Sequence, residues 1–150
     1  MIVMDMNLKL PIPAESLVPH RPPFLLVDRL LEFTGQIGVV ESVPAPDNLF
    51  LDEDGYIEII AMVEIMAQAA AAVKGYSDRQ NGRAIRKGFL VDVREFQFKK
   101  RCHEGDIILV RVEIAKCFSG FSIVNGSIVC RGREIAAGAL KLWVPDENRE

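Results

Sequence analysis

Cysteine is scarce in this chain, and the three it has, Cys102, Cys117 and Cys130, are odd in number and widely spaced. A disulfide framework is therefore not expected, and the usage suits a reducing, cytoplasmic setting. Cys102 is followed by His103, but no second pair at zinc-like spacing accompanies them, so both read as ordinary strand-end residues rather than metal ligands. A long basic stripe is also missing. The net charge is -3, with lysines and arginines scattered among acids, which removes the electrostatic footprint of a nucleic-acid binder. Met1 to Leu10 carries Asp5 and lacks the basic and apolar regions of a secretory signal. Serine-nucleophile motifs, phosphate-cradling glycine loops and carboxylates at metal spacing are absent too, so phosphoryl and redox chemistry have no residues to build on.

What remains is a globular composition, with 49% of residues hydrophobic and 26% charged across 150 positions, enough for one domain over 1–150 with a sizeable core. After Pro11-Ile12-Pro13, the apolar stretch Phe24 to Phe33 ends at Thr34-Gly35-Gln36 and predicts a strand, with Ile37 to Val43 pairing back. Pro44 to Gly55 is a loop. From Ile57 to Lys74 alanine and methionine replace valine and threonine, and Gly75 stands where a helix cap is expected. Glu64 is the sole charge between Ile59 and Val73, so this helix should be buried on nearly every face. A membrane span is the weaker reading, since Glu64 and Gln68 interrupt a short apolar run.

The second half is β in character. The apolar phase of Phe89 to Arg101 slips between Val93 and Phe96, which predicts a bulge. Ile108, Val110, Val112 and Ile114 alternate with Arg111 and Glu113, and Ser119-Gly120 and Arg131-Gly132 mark turns between the last strands. A lone apolar helix needs a cover, and a curved antiparallel sheet wrapped around it supplies one. That α+β arrangement is the hot-dog fold. Its open edges predict a homodimer or higher oligomer.

Two residues invite chemistry. A carboxyl at Glu64, in an apolar helix, has either an acid–base role or a structural one, held by Gln68 one turn on. His20, between Pro19 and Arg21-Pro22-Pro23, is presented from a stiff segment and is either a catalytic base or a surface histidine. The dense basic run Lys99-Lys100-Arg101 is a solvated strand end or a patch for an acidic partner.

Leu17-Val18-Pro19-His20-Arg21-Pro22-Pro23-Phe24-Leu25-Leu26-Val27-Asp28-Arg29 resembles the PHRxPFLLVDR segment of the 3-hydroxyacyl-(acyl-carrier-protein) dehydratases, and Glu64-Ile65-Met66-Ala67-Gln68-Ala69-Ala70 their EAMAQAA helix motif. The divergent members of aryl-polyene and polyketide-type pathways are similar in their shortened loop. This resemblance implies that His20 and Glu64 are catalytic, facing each other across a dimer at the mouth of an acyl tunnel. His20 would take a Cα proton, and Glu64 would assist departure of the 3-hydroxyl as water. It further implies that Gln68, Phe24, Gly88 and Phe89 bind substrate. No cofactor is implied beyond the phosphopantetheine arm that carries the substrate. The partners implied are an acyl carrier protein and, in some members, a second hot-dog subunit; no metal, nucleic acid or membrane is involved. One departure stands out. The glycine motif that polarises the thioester carbonyl is missing, with Glu58 and Ile59 at its positions, and such a donor is commonly worth ~3 kcal/mol. A thioesterase and a non-catalytic carrier-binding subunit are the alternatives.

Overall fold

The computed structural model describes residues 8–145, so most of the leader reading of Met1 to Leu10 lies outside the described residues. Seven strands, β1 (Ile12–Pro13), β2 (Arg29–Thr34), β3 (Ile37–Ser42), β4 (Phe89–Phe98), β5 (Ile108–Phe118), β6 (Phe121–Cys130) and β7 (Arg133–Trp143), form one antiparallel sheet in the order β1-β2-β3-β5-β6-β7-β4. The one α-helix among the described residues, α1 (Ile59–Gln80), packs in the hollow of that sheet. Two-residue turns build its centre. Ser119 and Gly120 at φ 49° and 82°, and Arg131 and Gly132 at φ 53° and 74°, supply the left-handed conformations that match the twist of paired strands. Ile108, Val110, Val112 and Ile114 point inward from β5, with Val124, Ile128 and Leu140 beyond them, onto Met62, Met66, Ala69 and Val73 of α1. Full burial of each large aliphatic side chain is worth about 2 kcal/mol, so this face supplies most of the cohesion.

Close approach of sheet to helix depends on missing side chains. A β-carbon on Gly126 would lie 2.6 Å from the Met66 sulfur, and one on Gly38 would overlap Val73. α1 is long and apolar enough to cross a membrane by composition alone, but its coverage by the sheet marks it as a core helix. The slip in β4 is present as a register shift between Arg94 and Gln97, where Glu95 has φ 51°.

Three expectations need correction. Phe24 to Asp28 is not strand: the groups at its middle are taken by side chains, with Leu26 N–H donating to Gln68 Oε1 (2.8 Å) and Ser42 Oγ donating to the Leu26 carbonyl (2.6 Å). The helix does not stop at Gly75. That glycine sits inside α1 because a β-carbon there would overlap the Leu17 carbonyl oxygen, and the helix ends at Asn81, ahead of Gly82 at φ 69°. Nor is the helix buried all round. Ile60, Glu64, Ala67, Ala71 and Lys74, spaced three or four apart, form a partly open stripe.

Candidate active site

His20 owes its position to the contact made at Gly75. Leu17 and Val18 are fully buried against the core, and the bare backbone of Gly75 lets the Leu17 carbonyl settle onto α1. The Arg21 guanidinium then donates from Nη1 to the carbonyls of Val18 (2.9 Å) and His20 (2.7 Å), closing the bend that presents the imidazole. His20 Nε2 lies 3.7 Å from Glu64 Oε1, with the two side chains 31% and 40% exposed. That separation is just beyond a hydrogen bond, as is common before substrate binds. Nδ1 of the same ring is buried and has no hydrogen-bond partner among the described residues.

Glu64 is aimed by Gln68, whose Nε2 donates to Glu64 Oε1 (2.9 Å) and to the Phe24 carbonyl (2.8 Å) while its Oε1 accepts from Leu26 N–H. One side chain thereby ties the helix, the Glu64 carboxylate and the loop after His20 together. Asp28 extends the tie by accepting from Val43 N–H (2.6 Å), and burial pushes its carboxyl above the usual range despite that bond.

A narrow cavity of about 90 Å³ leads away from the pair, floored by Ala67, Ala71 and Gly75 and walled by Ile85, Phe89, Leu90 and Leu142. Gly88 and Phe89 line it as expected from the sequence. Phe24, 60% exposed, stands instead on the outer side of Glu64 with Phe50 and Ile60. Gln68 is 1% exposed and walls neither space, so it is a scaffold for the pair rather than a substrate contact. Glu64 is likewise not the buried carboxylate that the apolar helix suggests. The chain also brings His20 and Glu64 together by itself, so a facing subunit is not required to assemble them.

Sequence reasoning missed the opposite end of the cavity, where Lys74, Asp78 and Arg86 converge. Lys74 and Asp78 stand ten and fourteen residues after Glu64 on the same stripe, a spacing that was readable once the helix was known to continue. Cys102 and His103 are structural. Cys102 is fully buried and its thiol is pushed up to about 12 by desolvation. Each nitrogen of the His103 ring faces a carbonyl oxygen, of Glu104 (2.9 Å) and of Asp54 (3.0 Å), and these bonds raise its pKa.

The sheet order and the single enclosed helix place the chain in the hot-dog class. The solved dehydratase heterocomplex ApeI:P from Xenorhabdus doucetiae shares that fold, with a TM-score of 0.85 at 20% identity over 91% of this chain and 93% of the other. A hypothetical thioesterase from Streptococcus pneumoniae, solved with coenzyme A, is similar at a TM-score of 0.59 and 12% identity over 77% of this chain and 83% of the other. Sequence narrows the class. The 3-hydroxyacyl-(acyl-carrier-protein) dehydratase FabZ of Geobacillus thermodenitrificans is 33% identical over 127 residues, 77% of this chain and 86% of its own length. The model of the ApeP-like dehydratases matches residues 12–150, and the chain belongs to that family.

Proposed function

We propose that this protein is a hydro-lyase that dehydrates a 3-hydroxyacyl thioester to the 2-enoyl thioester, with His20 as base and Glu64 as acid. The observation that carries the residue assignment is the 3.7 Å approach of His20 Nε2 to Glu64 Oε1 at the head of an apolar cavity. His20 removes the Cα proton, the Cα–H electrons form the new double bond, and the Cβ–O bond breaks as the Glu64 carboxyl gives its proton to the departing hydroxyl. Proton return from His20 to Glu64 across the same contact resets the pair, so the cycle needs no cofactor. α1 begins at Ile59 with no side-chain cap, and its first N–H groups supply the dipole that takes over carbonyl polarisation from the missing glycine motif.

An acyl carrier protein is the expected bearer of the substrate. Lys99, Lys100, Arg101, Arg131 and Arg133 share one surface hollow with Glu104, Asp106 and Glu134, and the excess of cations suits an acidic partner. β4, at the sheet edge, exposes Phe89, Leu90, Val91 and Val93 and suits a second hot-dog subunit, identical or related. The free thiols of Cys102, Cys117 and Cys130 fit a cytoplasmic setting. Incubation with 3-hydroxyacyl thioesters, followed by enoyl absorbance and free-thiol release, tests the reaction. His20→Ala and Glu64→Gln should each lower the rate by about 10²–10⁴-fold. Undiminished enoyl formation in His20→Ala would remove the assignment, and thiol release without enoyl product would turn the reading toward hydrolysis.

A further inference from the structure

The cavity that begins at His20 and Glu64 is apolar along its floor but ends in charge. Asp78, only 8% exposed, accepts from Arg86 Nη2 at 3.2 Å, and Arg83 Nη1 stands 3.9 Å from the same carboxylate. Lys74 Nζ donates to the buried Ser122 hydroxyl at 2.8 Å. Two cations thus gather round one carboxylate, and a third, Lys74, stands on the same cavity wall. The Asp78 contact fixes the guanidinium of Arg86, yet its buried Nε–H has no acceptor among the described residues. A closed structural ion pair would be sealed by packing; here Lys74, Asp78 and Arg86 all wall the cavity and also the wider groove beyond it.

From this we propose that the far end of the cavity recognises an oxygen-bearing terminus of the acyl chain, which accepts from the Arg86 guanidinium beside Lys74. Helical rise places Lys74 about 15 Å and Asp78 about 21 Å from Glu64, so the chain must span that interval to reach the charges. A methyl terminus there desolvates charged groups and returns no hydrogen bond, whereas a hydroxyl or carboxylate oxygen accepts from the cations that wall the cavity. The excess of positive charge favours acceptors over donors. Selection at this end rests on the dehydratase reading for its substrate, but it is measurable without turnover.

The test is binding of unreactive saturated acyl thioethers of pantetheine, in graded lengths, ending in methyl, hydroxyl or carboxylate. For wild type, an oxygen-ended chain long enough to reach Arg86 should bind at least about ten-fold more tightly than its methyl-ended counterpart, and short chains should show no difference. Arg86→Met combined with Asp78→Asn, which avoids stranding a buried carboxylate, should bring that ratio near one. Ala71→Leu, which narrows the floor midway and leaves the charges in place, should also remove the discrimination by stopping the chain short. Equal affinity for all termini at every length, or a ratio that survives the Arg86 variant, overturns the proposal. Turnover of a short 3-hydroxybutanoyl thioester without any terminal preference in binding sinks this inference alone; a clear preference without turnover sinks the catalytic reading alone.

Discussion

The β5–β6–β7 hairpins and the segment from Leu17 to Asp28 sit on opposite sides of α1, and they are stabilised in different ways. Each hairpin is specified within its own sequence: alternating apolar residues set which face is inward, and two left-handed turn residues set the register. The His20 segment has almost no ladder of its own. Its backbone is tied by the side chains of Gln68, Ser42 and Arg21, and its approach to the helix depends on Gly75. The part of the molecule that carries chemistry is thus held chiefly by a side chain more than forty positions away, Gln68, whereas the supporting sheet is held by neighbours.

Gly75→Ala tests that contrast most severely. A helical glycine without tertiary constraint gains about 1 kcal/mol on replacement by alanine. Here the added carbon meets the Leu17 backbone, so thermal or urea unfolding should show a loss of about 3 kcal/mol. Gln68→Leu should cost about 2 kcal/mol, because the Leu26 N–H loses its acceptor in a buried setting. It should also lower kcat well below the Tm, since Glu64 and the His20 loop both lose their tether. Gly120→Ala makes the matching perturbation in the sheet. With φ at 82° and the Val144 carbonyl 2.6 Å from the new carbon, it should cost about 1–2 kcal/mol. Its kcat in the folded temperature range should be that of wild type, and a kcat loss equal to that of Gln68→Leu would erase the distinction.

The smallest effect concerns pH. His103 holds the Asp54 and Glu104 carbonyls with both ring nitrogens, which only the imidazolium can do by donation, and its pKa is raised above 6.5 in the folded state. Its contribution to stability is therefore complete below pH 6.5 and is lost as pH rises through the folded-state value. Melting temperature should decline slightly over that window in wild type and less in His103→Gln. An identical decline in both proteins would assign it to other groups.

The same contrast explains what was legible in the sequence. Alternation from Ile108 to Ile114 and the Ser119-Gly120 and Arg131-Gly132 turns are local signals, and the strands they predict are present within a residue or two. Phe24 to Asp28 looked like strand because its side chains are apolar; nothing nearby announces that Gln68 will take its N–H. Gly75 looked like a helix stop because glycine favours caps, and its actual reason, a carbonyl from residue 17, is a tertiary fact. That one misreading had a further effect. Ending the helix at Lys74 left Asp78 off the stripe of Glu64, and the charged end of the cavity went unseen although His20 and Glu64 themselves had been named. Gln68 was legible as a partner of Glu64 one turn away, but not its bonds to the Leu26 N–H and the Phe24 carbonyl, which take it out of reach of a substrate.

Both ends of the cavity rise from the same rigid cylinder. The distance between them is consequently quantised: a relative that keeps Glu64 in place can shift its charged stop only by moving it to the next position on that stripe, about one turn or 5.4 Å away. Substrate length in proteins built this way should change in steps rather than continuously, with the alanine floor offering the only fine adjustment between steps.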